Sequence, residues 1–166
     1  DERVLHHLVC AHSIIADTAA VEGREDIEIE HRALALESAG RLGGRFPSHR
    51  VYQARLAGAC ASMSVLELRR GDITAADALI TDAFRIMDAF ANPEANDMDA
   101  RSLFVGILLH QATVRERQGL ISEAGEALTS AIEHADAIHH LKPHDAGIAA
   151  MRDAARARRV NLGLSQ

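Results

Sequence analysis

Tryptophan is absent from these 166 residues, aromatic side chains make up 3%, and proline occurs 3 times. A β-sandwich or barrel needs aromatic and β-branched residues on a pleated surface, so this scarcity turns the chain away from β architecture. The few prolines leave long stretches free to be helix. Cysteine is nearly missing too. Cys10 and Cys60 supply no disulfide framework and read as two buried free thiols in a reducing compartment, which suits a cytoplasmic location. Lysine is reduced to Lys142; the other cations are arginine, and with the abundant alanine this suggests a GC-rich, bacterial source. Basic charge does not dominate. A net charge of −6 and a pI near 5.9 argue against a general binder of nucleic acid or anionic membrane. No run of about 18 apolar residues and no signal-peptide layout is visible, so nothing is expected to span a membrane. The chain opens on Asp1 rather than Met, as a piece of a longer protein would.

What is present is a repeat. Gly23, Gly71 and Gly119 stand 48 residues apart, and Pro47, Pro93 and Pro143 follow them by 24, 22 and 24 residues. Between these breakers the apolar residues recur at steps of three and four, as in Val4, Leu5, Leu8, Val9, Ile15 and Ala19, the period of a helix that buries one face. The pattern predicts seven helices, over about 3–22, 24–42, 48–70, 74–90, 97–118, 122–139 and 144–161. Gly40, Gly43 and Gly44 with Pro47 mark a loop after the second, the sequence 91–96 closes the fourth, and Ser122 reads as the N-cap of the sixth. The expected fold is all-α: one domain, 1–166, of three antiparallel hairpins (1–47, 48–95, 96–143) and a C-terminal capping helix (144–161).

Five columns support the equivalence. Twelve residues after each glycine stands alanine (Ala35, Ala83, Ala131), then a larger apolar residue (Leu36, Phe84, Ile132), and nineteen after another (Leu42, Phe90, Ile138). Seven before the glycine the residue is small (Ala16, Ser64, Ala112), and fifteen before it is apolar (Leu8, Leu56, Phe104). Gly58 and Gly106, with Cys10 in the same column, sit in mid-helix, where glycine costs about 1 kcal/mol against alanine, and so point to a close helix crossing or to room for a ligand backbone.

With these residues in place the pattern resembles the tetratricopeptide (TPR) family of helix-turn-helix repeats. Ser64, Gly71-Asp72-Ile73, Ala76 and Ala83 carry the resemblance in the second copy; Ala112, Gly119, Ile121, Ala124 and Ala131 carry it in the third. The first keeps Ala16, Gly23 and Ala35, but Glu28 replaces the family's alanine and Glu25 its aromatic. The 48-residue period exceeds the usual 34, so the helices are longer, as in the long-helix TPR-like arrays of bacterial signalling proteins and MalT-type regulators. The resemblance implies a right-handed α-solenoid whose concave groove, lined by the first helix of each copy, holds a protein or peptide segment. Its groove columns fall on Asp17, Ala61, Val65, Arg69, Leu109, Thr113 and Arg117. No asparagine occupies the columns that clamp a C-terminal carboxylate in chaperone-binding members, so a mixed apolar groove edged with arginine is expected instead, suited to a helix or extended segment bearing acidic residues.

Chemistry finds little foothold. His134, His139, His140 and His144 read as partly exposed loop residues rather than metal ligands, because Pro143 separates His140 from His144. The acidic residues Glu25, Asp26, Glu28, Glu30 and Asp145, and the arginines Arg152, Arg156, Arg158 and Arg159, read as solvated helix faces. No nucleophile with a base, phosphate loop or carboxylate pair in recognisable context is present. The expectation is a non-catalytic scaffold or regulatory module without cofactor, part of a larger bacterial signalling or transcription-regulatory protein. Its alternative is a domain that senses a small molecule or signalling peptide in the groove. Self-association through exposed end helices is compatible with both.

Overall fold

Each stretch of three- and four-residue periodicity forms a helix in the computed structural model, which describes residues 1–89 and 98–164. Phe90, the segment 91–97 with Pro93, and residues 165–166 lie outside the described residues. The helices are α1 (Glu2–Val21), α2 (Glu25–Arg45), α3 (Arg50–Arg70), α4 (Ile73–Asp88), α5 (Met98–Gln118), α6 (Ile121–Leu141) and α7 (Ala146–Asn161). No strand occurs among the described residues. Packing divides the chain into two compact units, Asp1–Ile86 and Met87–Gln166.

One turn recurs. Gly23, Gly71 and Gly119 adopt φ of 70°, 88° and 78°, a left-handed conformation that a side chain would strain. The amide after each glycine donates back over the helix end: Arg24 N to Ala19 O (2.8 Å), Asp72 N to Glu67 O (2.9 Å) and Leu120 N to Arg115 O (2.9 Å). These bonds satisfy carbonyls that the helix end leaves open. The same motif closes α7, where Gly163 has φ 71° and Leu164 N donates to Arg159 O at 3.1 Å. Repetition of the 48-residue period would place that glycine at 167; it comes at 163 because α7 has 16 residues where α3 and α5 have 21, with Leu162 standing between the helix and the glycine.

In the first unit α1 packs on α2 and α2 on α3. Val9, Ala39 and Ala59 form a buried cluster with Leu36 and Leu56 against it. Small residues let the backbones approach: Ala16, Ala57, Ala76 and Ala83 are fully buried, and Ser64 Oγ donates to Ala76 O at 2.7 Å, joining α3 to α4. In the second unit α5 packs on α6 and α6 on α7, with Ala112, Ala124, Ala131 and Ala135 fully buried.

Several local expectations are corrected. The second helix does not stop near Leu42 with Gly43 and Gly44 in a loop; it runs through both glycines to Arg45. Gly43 makes room for α3, since a Cβ there would lie 2.9 Å from Leu56 Cδ2, and Gln53 Nε2 donates to Gly43 O at 2.9 Å, binding the end of α2 to α3. Gly106 is not at a tight crossing: a Cβ there would meet nothing within 4 Å. The close approach in the second unit is at Gly125, where a Cβ would collide with Leu164. Ser122 is not the N-cap of α6, whose cap is Leu120 without a side-chain bond. Asp145, by contrast, caps α7 by accepting from Ile148 N at 3.1 Å. Cys60 is buried and its thiol is pushed up to about 11, chiefly by burial. Cys10 is only half-buried, its Sγ 4.0 Å from His6 Nε2.

Candidate functional site

Glu28 is the outlier of the repeat. Its column holds alanine in the other copies, Ala76 and Ala124, both fully buried, whereas here a carboxylate is 2% exposed. Rather than a solvated helix face, the acidic run therefore contains a buried charge. Arg32, one turn on, donates from Nε to Glu28 Oε1 at 2.8 Å, and Arg69 of α3 donates from Nη2 to Glu28 Oε2 at 2.5 Å. Arg32 also reaches Asp17 of α1 at 3.3 Å. The chain Asp17–Arg32–Glu28–Arg69 thus ties three consecutive helices together. Burial alone would raise the Glu28 carboxyl, but hydrogen bonds and charge from Arg69 and Arg32 outweigh it and hold the group below its usual range.

Two residues that the sequence assigned to the groove, Asp17 and Arg69, stand at the ends of this chain. The Arg69 side chain is 49% exposed, and only its Nη2 is engaged among the described residues. It lines an open pocket of about 280 Å³ together with Ala20, Gly23, Glu25, Glu28 and Arg70. Arg70 is held by Glu67 through bonds of 3.2 and 3.3 Å. Ala61 and Val65 lie two turns and one turn before Arg69 on α3, Ala61 half-buried and Val65 39% exposed, so the three form a stripe. Guanidinium donors at its end, beside a concavity, are suited to a carboxylate, which they can grip with paired bonds.

In the second unit Leu109 and Thr113 are engaged by α7. Arg158 donates to Leu109 O at 3.1 Å, Thr113 Oγ1 at 3.0 Å and Glu116 Oε1 at 2.8 Å. Arg117 remains exposed one turn beyond Thr113. Arg152, Arg156 and Arg158 are accordingly not a solvated face: Arg152 and Arg156 also reach Asp136 of α6, at 3.5 and 2.9 Å. They fasten α7 to α5 and α6, a role that composition could not separate from solvation.

His134, His139 and His140 lie within α6 rather than in a loop; of the four histidines expected there only His144 is in one. His134 lies on α6, half-buried, with its ring at right angles to Phe104 across a centroid distance of 5.0 Å; burial and then Arg101 lower its pKa. His12 of α1 and His31 of α2 bring their Nδ1 atoms to 2.8 Å. Their ring centroids are 5.0 Å apart, so the nitrogens nearly face each other along the line between rings. That is one shared hydrogen bond, and it demands a donor on one ring and a lone pair on the other. No group of three or more histidine, cysteine or acidic side chains arranged for a metal occurs among the described residues.

Glu28, Arg32, Glu25 and Arg70 escaped the reading of the groove. The signal for Glu28 was present: a charge in a small-residue column, with arginine four residues later in a column that reads Ile80 and Leu128 in the other copies.

The fold and this surface define an all-helical protein whose neighbouring helices pack in order, with an arginine-edged pocket beside the first turn. Comparison with models of protein families, with curated proteins and with solved structures found no match.

Proposed function

We propose that the chain is a TPR-like solenoid, wound right-handed, that acts as a protein- or peptide-binding module in a regulatory or scaffolding role and carries out no reaction of its own. The array is supported by the turn shared by Gly23, Gly71 and Gly119. One observation carries the binding role: Arg69 is half-exposed, retains unspent donors among the described residues, and lines the 280 Å³ pocket at the end of the Ala61–Val65 stripe. An incoming segment would lay small apolar side chains on Ala61 and Val65 and an acidic side chain against Arg69 and Arg70, with Glu28 fixing the guanidinium in place. Partner contacts in the second unit would fall on Arg117 rather than on Leu109 and Thr113, which Arg158 already engages.

A random peptide library selected against the immobilised chain tests this reading. Sequences enriched in Asp or Glu among small apolar residues, binding more weakly to Val65→Asp, support it; no enrichment, or equal binding to the variant, rejects it. The pocket's volume is also that of a small-ligand site, which favours a second reading, the sensing of a small carboxylate. A saturable rise in melting temperature with such a metabolite, lost in Arg70→Ala, would favour that reading over the peptide.

A further inference from the structure

The first helix turns more apolar surface outward than inward. Val9, Ala16 and Ala19 are its buried residues, while Val4, Leu8, Ile14, Ile15 and Val21 are 54, 39, 66, 39 and 90% exposed. By length and mean hydropathy α1 could cross a bilayer, though it is not a continuous apolar run, and it packs along α2. The exposed residues are ordered. Val4, Leu8, Ala11, Ile15 and Thr18 follow alternating steps of four and three, the 3.5-residue seam along which one helix pairs with another. The repeat says the same of this face. Leu56, the equivalent of Leu8 on α3, is seated against Gly43 of α2, whereas Leu8 is left open.

We infer that this stripe pairs with the α1 stripe of a second copy, antiparallel, in a two-fold dimer. The seam alternates small with large, and an antiparallel register sets Ile15 of one copy opposite Ala11 of the other, Leu8 opposite Thr18, and Val4 opposite the stem of Glu22. A parallel register would put Ala11 on Ala11 and leave a void between Leu8 and Ile15 layers. It would also align the helix dipoles, which the antiparallel one opposes. In the same antiparallel register Arg3 of one copy comes beside Glu22 of the other, placing opposite charges at both ends of the seam. Val4 to Thr18 spans about 21 Å, and such a patch, short of the area of a standard interface, gives a reversible dimer with a dissociation constant of roughly 1–100 μM.

Sedimentation equilibrium of the whole chain from 1 to 200 μM reads the mass directly. The expected result is a monomer–dimer equilibrium that Ile15→Glu and Val4→Glu each weaken by about 100-fold or more, the charge entering the interface twice, with helicity by circular dichroism retained. Val4 is the safer site because it is the more exposed. Val160→Glu on α7, at a residue 72% exposed, leaves the dimer intact. A wild-type monomer at 200 μM, or a dimer unaffected by both α1 variants while Val160→Glu dissociates it, overturns the inference. A monomer that cosediments with phosphatidylcholine–phosphatidylglycerol vesicles also overturns it, by assigning the stripe to a lipid surface.

Discussion

Glu28→Ala removes the one carboxylate that satisfies two guanidinium groups between α1, α2 and α3. Arg32, whose side chain is 10% exposed, would keep only Asp17 at 3.3 Å, itself 69% exposed, so a nearly buried charge loses its main partner. Breaking a buried pair in this way typically costs 3–5 kcal/mol; because Asp17 remains and Arg69 can return to water, about 2–3 kcal/mol is expected. For a chain of this size that lowers the melting temperature by roughly 4–12 °C. The repeat supplies the compensating change. Ala76 with Ile80 and Ala124 with Leu128 occupy the same two columns, all fully buried, so Glu28→Ala combined with Arg32→Leu rebuilds the apolar version that the other copies already use. Replacing a buried ion pair by packed apolar groups is often neutral or stabilising, so the double variant should recover most of the loss, a coupling of about 2 kcal/mol. Urea titration of wild type, both single variants and the double variant, followed by circular dichroism, closes the cycle. Additive losses would refute the argument that the two charges are needed only for each other, and an unaffected Glu28→Ala would refute the buried pair itself.

Other expectations follow from the same contacts. Gly40→Ala, which meets nothing within 4 Å, should stabilise by about 0.5–1 kcal/mol in thermal melts, and Gly43→Ala should gain less, since its Cβ forces the end of the Leu56 side chain aside. Arg158→Ala removes three bonds from α7 to α5 and should cost about 1–2 kcal/mol, with faster amide exchange along α7 than along α5. Acid should weaken the fold in two stages. His6 and His134 are held below 6.5, chiefly by burial, so they bind protons more readily when unfolded; stability declines as pH falls below about 6.5, and His134→Phe should flatten that limb. Glu28, held below 4.5, contributes stability above that pH and loses it as pH falls through its lower folded value, a second limb that Glu28→Gln removes.

The order and bounds of the helices were legible because three signals coincide: glycines that end helices, an apolar period of three to four, and alanines where backbones touch. Gly23, Gly71 and Gly119 were read as turns from spacing alone, and their positive φ is the physical reason for the spacing. Glycines inside helices were less legible, since Gly43, Gly106 and Gly125 look alike in sequence, and only the neighbouring side chain distinguishes a required gap from an idle one. The site was half legible. Asp17 and Arg69 fall on columns that the TPR resemblance assigns to the groove, but the link between them passes through Glu28 and Arg32, whose burial depends on partners on three helices. The arginines of α7 carried no sequence signal at all, for a solvated arginine and one bound to a carbonyl on another helix are spelled the same way.

The account rests most heavily on the Ala61–Val65–Arg69 stripe as a binding surface. An ¹⁵N heteronuclear NMR titration with a peptide enriched from the library, observing backbone amides and arginine Nε signals together, tests that assignment residue by residue. Shifts concentrated on Ala61, Val65, Arg69 and Arg70, with the Nε signal of Arg69 moving in step with saturation, are the expected result. Shifts confined to α2 and α6 away from these residues, or none at saturating peptide, would contradict it.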